Sequence, residues 1–412
     1  MSTITPDLRV SAGDAVSVRK LGWRVWVPCL GMALCSWLAF VDRQVWAALS
    51  PTILKDTGLS AKEFADASSF FFLAYMVANP VWGSILDFVG LRIGMLLAVA
   101  IWSAASVSHA WMSTFVGFAL ARAVLGLGEG ATFPGGLRTA VVSLPADLRA
   151  RGTAVSFSGG TIGAIVTPLL VGAIALRYGW QAAFIFTAGL GITWLLLWVA
   201  IARPPFLPKV EQTVKKMSWP NPLERRVWAL VFSYALPAIA PGPILTIVPL
   251  FLNRGLGISQ AGVNQIFWIP PFAWCVGYFF WGWAADRFAA ENRRPVGMFL
   301  LLTICSLALG ATTWTTSVPM AMFLISWAAF IGGGFQMVAL KVGSYAFPRE
   351  QAAMMSGIAS GSWALVNFLL LRLIGPWLNQ GRWGEVFWLI ALLPPAGIAV
   401  WLVLSRDRTA RA

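Results

Sequence analysis

The chain is a succession of apolar stretches, each about as long as a bilayer is thick, separated by short polar breaks. A membrane-crossing helix takes roughly 20 residues. Twelve stretches reach that length, at 23–48, 65–86, 93–112, 115–137, 151–176, 180–202, 227–252, 261–285, 295–314, 319–345, 352–378 and 384–404. Hydrocarbon offers the backbone no hydrogen-bond partners, so each stretch has to satisfy its own amides as a helix. The residues are 58% hydrophobic and 11% charged, too few charges to cover a soluble surface of this size. The expected fold class is an all-α polytopic membrane protein, with twelve transmembrane helices in two six-helix, pseudo-symmetric bundles.

The formal charge of +14 invites a nucleic-acid reading, and its distribution removes that reading. With the N-terminus placed inside, 21 of the 30 Lys and Arg fall on the inner side, five on the outer side (Lys55, Lys62, Arg177, Arg254, Arg382) and four within spans. This is the positive-inside bias, and it places both termini in the cytoplasm of a multi-pass protein, taken as one of a bacterial inner membrane. No basic patch with stacking aromatics is needed to account for the charge. Residues 1–20 are polar and no cleavable leader is apparent. Cys29, Cys35, Cys275 and Cys305 sit in apolar spans without metal spacing and read as packed thiols. A monomer is the default expectation.

The longest polar break runs from Arg203 to Arg226 and divides six spans from six. The expected organisation is a tail at 1–20, a first bundle at 21–203, a linker at 204–226, a second bundle at 227–404 and a tail at 405–412. Internal repetition supports the division. Gly58–Leu59–Ser60 returns as Gly257–Ile258–Ser259, and Gly83-x-x-x-Asp87 returns as Gly282-x-x-x-Asp286, both offset by 199 residues. Trp180 and Phe184 return as Trp383 and Phe387, offset by 203. Two halves of one design, with a ligand held between them, are a common transporter plan. The two Gly-x-x-x-Asp motifs, with Arg92 and Arg287 at the same level, are expected to form a cytoplasmic gate latch, glycine permitting close approach and aspartate accepting hydrogen bonds from a neighbouring helix N-terminus. A tight loop with positive-inside charge is the plainer account.

Asp42, Arg43, Arg122 and Glu129 are written into membrane-length stretches, and each charge near the bilayer centre costs about 2.5–3.5 kcal/mol. Spans one and four hold every acid that lies deep in the membrane. Glu129 follows Arg122 by seven residues, which puts both on one helix face, and Gly126, Gly128 and Gly130 keep that face thin. An apolar setting and a nearby guanidinium act on a carboxyl in opposite senses, and a group balanced between them can exchange a proton near neutral pH. With both acids ionised the two arginines are neutralised. With both protonated, a doubly positive cavity attracts a carboxylate, for which arginine's fork is well shaped. Proton and anion would then favour each other's binding, the thermodynamic basis of symport. Two internal salt bridges joining spans one and four are the alternative, although buried ion pairs are poor stabilisers.

Other polar positions carry weaker signals. Tyr75 and Asn79, one turn apart on span two, are candidates either for a polyol or for bonds between spans. Span seven is broken by Pro237, Pro241, Gly242, Pro243 and Pro249, and span eight by Pro270–Pro271; such breaks suit moving helices that line a cavity. Asn253, Gln265 and Trp268 near them, and Gln336 on span ten, are candidate substrate contacts. Lys341 and Arg372 lie close enough to span ends to snorkel, and His109 reads as an interface residue at the outer end of span three. There is no His/Cys cluster with metal spacing, no phosphate loop and no Ser–His–Asp set, so no enzyme, metal or cofactor is expected.

The two halves, the Gly-x-x-x-Asp signatures and the polar central loop resemble the major facilitator superfamily over nearly the whole chain. Asp42–Arg43–Gln44, Phe70–Phe71–Phe72–Leu73–Ala74–Tyr75, and the stretch from Arg122 through Gly126, Gly128, Glu129 and Gly130 to Pro134–Gly135 resemble its anion:cation symporter family. So does the segment from Arg149 through Gly179–Trp180–Gln181–Ala182–Ala183–Phe184. That family includes bacterial hexuronate and galactonate transporters, sialin-type carriers and vesicular glutamate carriers. The resemblance implies proton-coupled uptake of a small organic anion, often a sugar acid, by alternating access, with Asp42 and Glu129 in coupling, Arg43 and Arg122 handling the carboxylate and Tyr75 in the pocket. Ala39–Phe40–Val41 stand where relatives carry Asn-Tyr or Ser-Tyr before the aspartate, which leaves the pocket less polar. An aromatic or other carboxylate symporter, an efflux antiporter suited by the thin Gly159–Gly160-x-x-Gly163 stretch, and a non-transporting anion sensor are the alternatives.

Overall fold

The computed structural model describes residues 22–145, 148–207, 220–288, 295–347 and 349–406. The tail at 1–20, the middle of the linker and the last six residues lie outside them. Among the described residues there are twelve long helices, with a short helix, Ser50–Thr57, inside the 49–60 loop between the first two: α1 (Gly22–Ala48), α2 (Ala61–Val89), α3 (Leu91–Trp111), α4 (Phe115–Ser143), α5 (Arg149–Tyr178), α6 (Trp180–Ile201), α7 (Arg225–Gly255), α8 (Ile269–Phe288), α9 (Val296–Trp314), α10 (Val318–Ala346), α11 (Arg349–Asn379) and α12 (Trp383–Leu404). Eleven of these are long and apolar enough to cross a membrane by themselves. The remaining one, α8, is preceded by a separate turn, Gln260–Ile266, and ends on Asp286 and Arg287. Several helices outrun their apolar cores. Helix α4 continues to Ser143, past the expected limit of 137, after a break at Gly130–Ala131.

The repeated Gly-Leu/Ile-Ser segments have a simple local cause. Gly58 and Gly257 adopt φ of 73° and 70°, a left-handed conformation that side chains resist. Two residues on, Ser60 accepts from the Glu63 amide and Ser259 from the Gly262 amide, each capping the helix that follows. Glu63 also accepts from the Ser60 backbone, completing a capping box. One helix end and one helix start are thus encoded twice, one in each half.

Helix α5 lies directly on α1. A Cβ at Gly159 or Gly163 would overlap the carbonyls of Ala33 and Trp37, so glycine is what permits the approach. The thin glycine stretch of span five is therefore accounted for by packing. Helix α7 is broken as the prolines require: Arg225–Ala235, a tight turn at Pro237–Ile239 with Ala238 off helical geometry, then Pro241–Leu250. The Trp363 indole of α11 donates to the buried Ala238 carbonyl at 2.9 Å and so satisfies an acceptor that the break leaves without a helical partner.

The two halves meet mainly at the loop 49–60 side. The Gln260 side-chain oxygen accepts from the Thr52 amide (3.2 Å) and hydroxyl (3.0 Å), and its nitrogen donates to the Ala48 carbonyl (2.8 Å) and to Asn264 (2.9 Å). Asn264 in turn lies against Gly172 of α5, and Gly375 of α11 lies against Lys62. Toward the middle, Phe40 approaches Trp274 at 6.2 Å and Phe72 meets Trp363 edge-on at 5.7 Å.

The two aspartate motifs sit at the opposite, terminal side, and each is tied within its own half. Asp87 pairs with Arg138 of α4, and Asp286 accepts from Lys341 of α10 at 3.0 Å. The expected partner of each aspartate is a neighbouring helix N-terminus; the ion pairs here are to side chains, and Arg92 and Arg287, expected at the same level, are exposed. Arg138 and Lys341 are 203 residues apart, the same offset as Trp180 and Trp383. The extra length of α4 is what brings Arg138 to Asp87.

Candidate anion and proton site

Asp42 and Arg43 are consecutive on α1, so their side chains diverge by about 100° around the helix and enter different surroundings. Asp42 turns toward α3 and α6 and is 1% exposed. Its Oδ1 accepts from the Ser106 hydroxyl at 2.7 Å, and Ser106 lies 3.2 Å from the Thr187 hydroxyl. Oδ2 has no hydrogen-bond partner among the described residues. Arg43 turns toward α2 and α4. Its Nη2 and Nε donate to Glu129 Oε2 at 2.7 and 3.2 Å. The Glu129 side chain is fully buried while that of Arg43 is 18% exposed, so the pair is reached from the arginine end.

Arg122, two turns before Glu129 on α4, is 3% exposed. Among the described residues its Nε and Nη1 find no hydrogen-bond partner. A buried guanidinium with idle donors is costly unless something else supplies acceptors. Its charge is partly balanced through space by Glu129 and Asp42 and opposed by Arg43. Aromatic rings complete the setting. Arg43 lies 4.6 Å from the Phe71 ring, 4.8 Å from Phe40 and 5.3 Å from Tyr75, and Arg122 lies 4.7 Å from Phe71. Such contacts favour a cation most where water is excluded.

The structure therefore brings Asp42, Arg43, Arg122, Glu129 and Tyr75 into one cluster, with Phe40 leading from it to Trp274 of α8. Gln336 is connected to the same wall, since its side-chain oxygen accepts from the Trp274 indole at 3.1 Å. Asn79 is buried and bonds weakly back to the Tyr75 carbonyl at 3.4 Å, where the backbone of Gly130 comes close. Asn253, Gln265 and Trp268 are placed elsewhere. Asn253 donates to the Ile258 carbonyl within its own loop, and the Trp268 indole donates to the Gln265 carbonyl. These bonds close the turns that the proline and glycine breaks create, and none of their described contacts reaches the cluster.

Sequence reasoning missed Ser106, Thr187, Phe71 and Gln260. Small hydroxyl residues on apolar helices are ordinary, and no spacing within one helix points across to Asp42. His109 also differs from expectation. It is fully buried, stacked on Phe184 at 4.9 Å, with Nδ1 bonded to the Ala105 carbonyl. Its neighbours Trp46, Phe118 and Phe184 are aromatic, and the ring is packed into the protein and not set at an interface. Among the described residues no group of three or more His, Cys, Asp or Glu is arranged to hold a metal.

Known proteins share this arrangement of helices. Over 417 residues the chain is 24% identical to a hexuronate transporter of Escherichia coli strain K12, covering 94% of this chain and 96% of that protein. It is 26% identical to a D-galactonate transporter of Escherichia coli O6:H1, covering 89% and 92%. Among solved structures it is similar to a bacterial homologue of the human lysosomal transporter Spinster in an inward-facing, occupied conformation. That match has a TM-score of 0.76 and 18% identity over 92% of this chain and 96% of the other. A D-xylose–proton symporter matches with a TM-score of 0.70 and 16% identity over 92% and 96%. The sequence model described as Major Facilitator Superfamily matches residues 32–370 and 230–412. The chain is a multi-pass membrane protein with the fold of a transporter and not of an enzyme, and it belongs to the Major Facilitator Superfamily.

Proposed function

We propose that the chain is a proton-coupled secondary transporter that imports a small organic anion, a hexuronate or aldonate in the first instance, by alternating access. The observation that carries this reading is the buried cluster itself: two acids and two arginines in apolar spans, with the Glu129 carboxylate occupied by Arg43 and two Arg122 donors unspent. Protonation of Glu129 releases Arg43 from its ion pair, and the freed guanidinium takes the substrate carboxylate. Protonation of Asp42 removes the second negative charge that faces Arg122. Each event raises the affinity for an anion, and by linkage a bound anion raises the affinity for protons. The names of the relatives supply the sugar-acid class.

The remaining features fit the same cycle. The terminal side is taken as cytoplasmic, in a bacterial inner membrane, from the positive-inside bias. The halves at 21–203 and 227–404 rock about the central cluster as a monomer. The loop 49–60 side is then the outer gate, held shut by Gln260, and the Asp87 and Asp286 motifs form the inner gate. Asp87 and Asp286 would exchange their present partners, Arg138 and Lys341, for contacts across the halves when that gate closes. A second reading, a carrier of aromatic carboxylates, is favoured by one observation. Phe40, Trp274, Phe72 and Trp363 make the contacts between the halves near the cluster. The test is uptake of labelled galacturonate, glucuronate, galactonate and benzoate into proteoliposomes with and without an inward proton gradient. Gradient-driven accumulation of a sugar acid supports the proposal, accumulation of benzoate alone selects the second reading, and accumulation of none overturns both.

A further inference from the structure

Phe71 is fully buried on α2, yet both arginines of the cluster converge on it. The Arg43 Cζ lies 4.6 Å from its ring centroid and the Arg122 Cζ lies 4.7 Å from it. The two cations act against each other, so their convergence on one ring needs a compensating attraction. The ring supplies one through the negative face of its π system. Tyr75, one turn on, stacks with Phe71 at 5.8 Å and extends the platform beneath Arg43. The position is fixed from behind. Gly126 of α4 lies against the Phe71 carbonyl so closely that a Cβ there would meet it, and α2 cannot retreat from α4 without losing that contact.

We infer that Phe71 is a positioning residue of the anion site, seating both guanidiniums so that Arg43 stays in place for the substrate carboxylate after Glu129 lets it go. This rests on the transport reading given above. While Glu129 is ionised, Arg43 is oriented by its ion pair. Once the acid is neutral, the faces of Phe71, Phe40 and Tyr75 still hold that guanidinium. Arg122 depends on Phe71 more narrowly, having two idle donors and this ring as its cation–π partner. An aliphatic side chain of similar size would preserve the packing and lose the seat.

The experiment replaces Phe71 with 4-fluoro-, 3,5-difluoro- and 3,4,5-trifluorophenylalanine, which change shape little while draining the ring face step by step. Phe71→Leu serves as a fourth variant. Two quantities are measured on the full-length protein in proteoliposomes: the KM for galacturonate under an inward proton gradient, and the rate at which phenylglyoxal modifies Arg43. The expected result is a KM that climbs with fluorine number, reaching about tenfold or more in the trifluoro protein, at unchanged melting temperature. Modification of Arg43 accelerates in the same order. A KM and labelling rate that stay at wild-type values through the trifluoro protein overturn the inference. A rise in KM without faster labelling also overturns it, because Phe71 would then act on the substrate itself. Faster labelling at constant KM overturns the link between the seat and the anion site. If the wild-type protein accumulates no acid offered, the transport reading fails on its own, and the labelling series alone decides whether Phe71 holds the arginines.

Discussion

Arg43 and Glu129, 86 positions apart in sequence, are joined by a 2.7 Å hydrogen bond in which the acid is wholly buried and the cation is partly open. That asymmetry predicts different behaviour for the two ends. A pH difference of one unit is worth about 1.4 kcal/mol, or tenfold, for each coupled proton. Wild-type proteoliposomes should accumulate substrate by roughly that factor per proton. Glu129→Gln should bring accumulation to unity while substrate exchange across the membrane continues. Accumulation that survives the substitution would detach Glu129 from coupling.

The same pair makes a stability prediction. Removing one partner of a buried pair strands the other charge and costs about 3–5 kcal/mol, whereas removing both costs far less. Arg43→Met should lower the melting temperature in detergent markedly, and Arg43→Met combined with Glu129→Gln should recover most of the loss. A double variant no more stable than the single one would mean that Arg43 stabilises the fold through its three aromatic contacts and not through Glu129.

Gln260 spends one side-chain amide on both halves, bonding Thr52 twice and the Ala48 carbonyl once. Each such bond contributes about 0.5–1.5 kcal/mol net. Gln260→Ala should therefore shift the equilibrium toward the form open at the loop 49–60 side by tenfold or more. Spin labels at Asp56→Cys and Arg254→Cys, both exposed positions near this contact, report it directly as a longer distance population. An unchanged distance distribution would place the outer gate elsewhere.

The fold was largely legible in the sequence because the bilayer leaves helix as the one available element, and apolar length marks each span. The four membrane charges were legible for the same reason, since nothing else makes Asp42 or Glu129 tolerable there. The partners of the repeated aspartates were not. Arg138 looked like an ordinary inner-side charge because α4 runs six residues beyond its apolar stretch, and Lys341 looked like a snorkelling side chain. Asn253, Gln265 and Trp268 lie near helix breaks, and the structure uses their bonds to close those breaks. Sequence proximity to a break cannot separate a residue that mends it from one that faces the cavity beside it.

The two motif pairs, Asp87–Arg138 and Asp286–Lys341, have exposed aspartates, so each should contribute little to stability, about 0–1 kcal/mol. Asp87→Asn and Asp286→Asn should leave the melting temperature nearly unchanged and still slow transport if, as proposed, these groups exchange partners during gating. Equal loss of rate and stability in both variants would make them structural contacts only.

Trp363 combines two tasks that can be separated by substitution. Its indole nitrogen satisfies the Ala238 carbonyl at the break in α7, and its ring meets Phe72 of the other half. Trp363→Phe keeps an aromatic face toward Phe72 but leaves a buried carbonyl without its donor, a loss of about 1–3 kcal/mol. Phe72→Leu keeps the carbonyl bonded and removes the ring contact. The first variant should lower the melting temperature with modest effect on the distance between halves. The second should do the reverse, widening the spin-label distance distribution at nearly constant stability. If both variants act alike on both measurements, the break in α7 and the contact between halves are one coupled element, and α7 bends when the halves part.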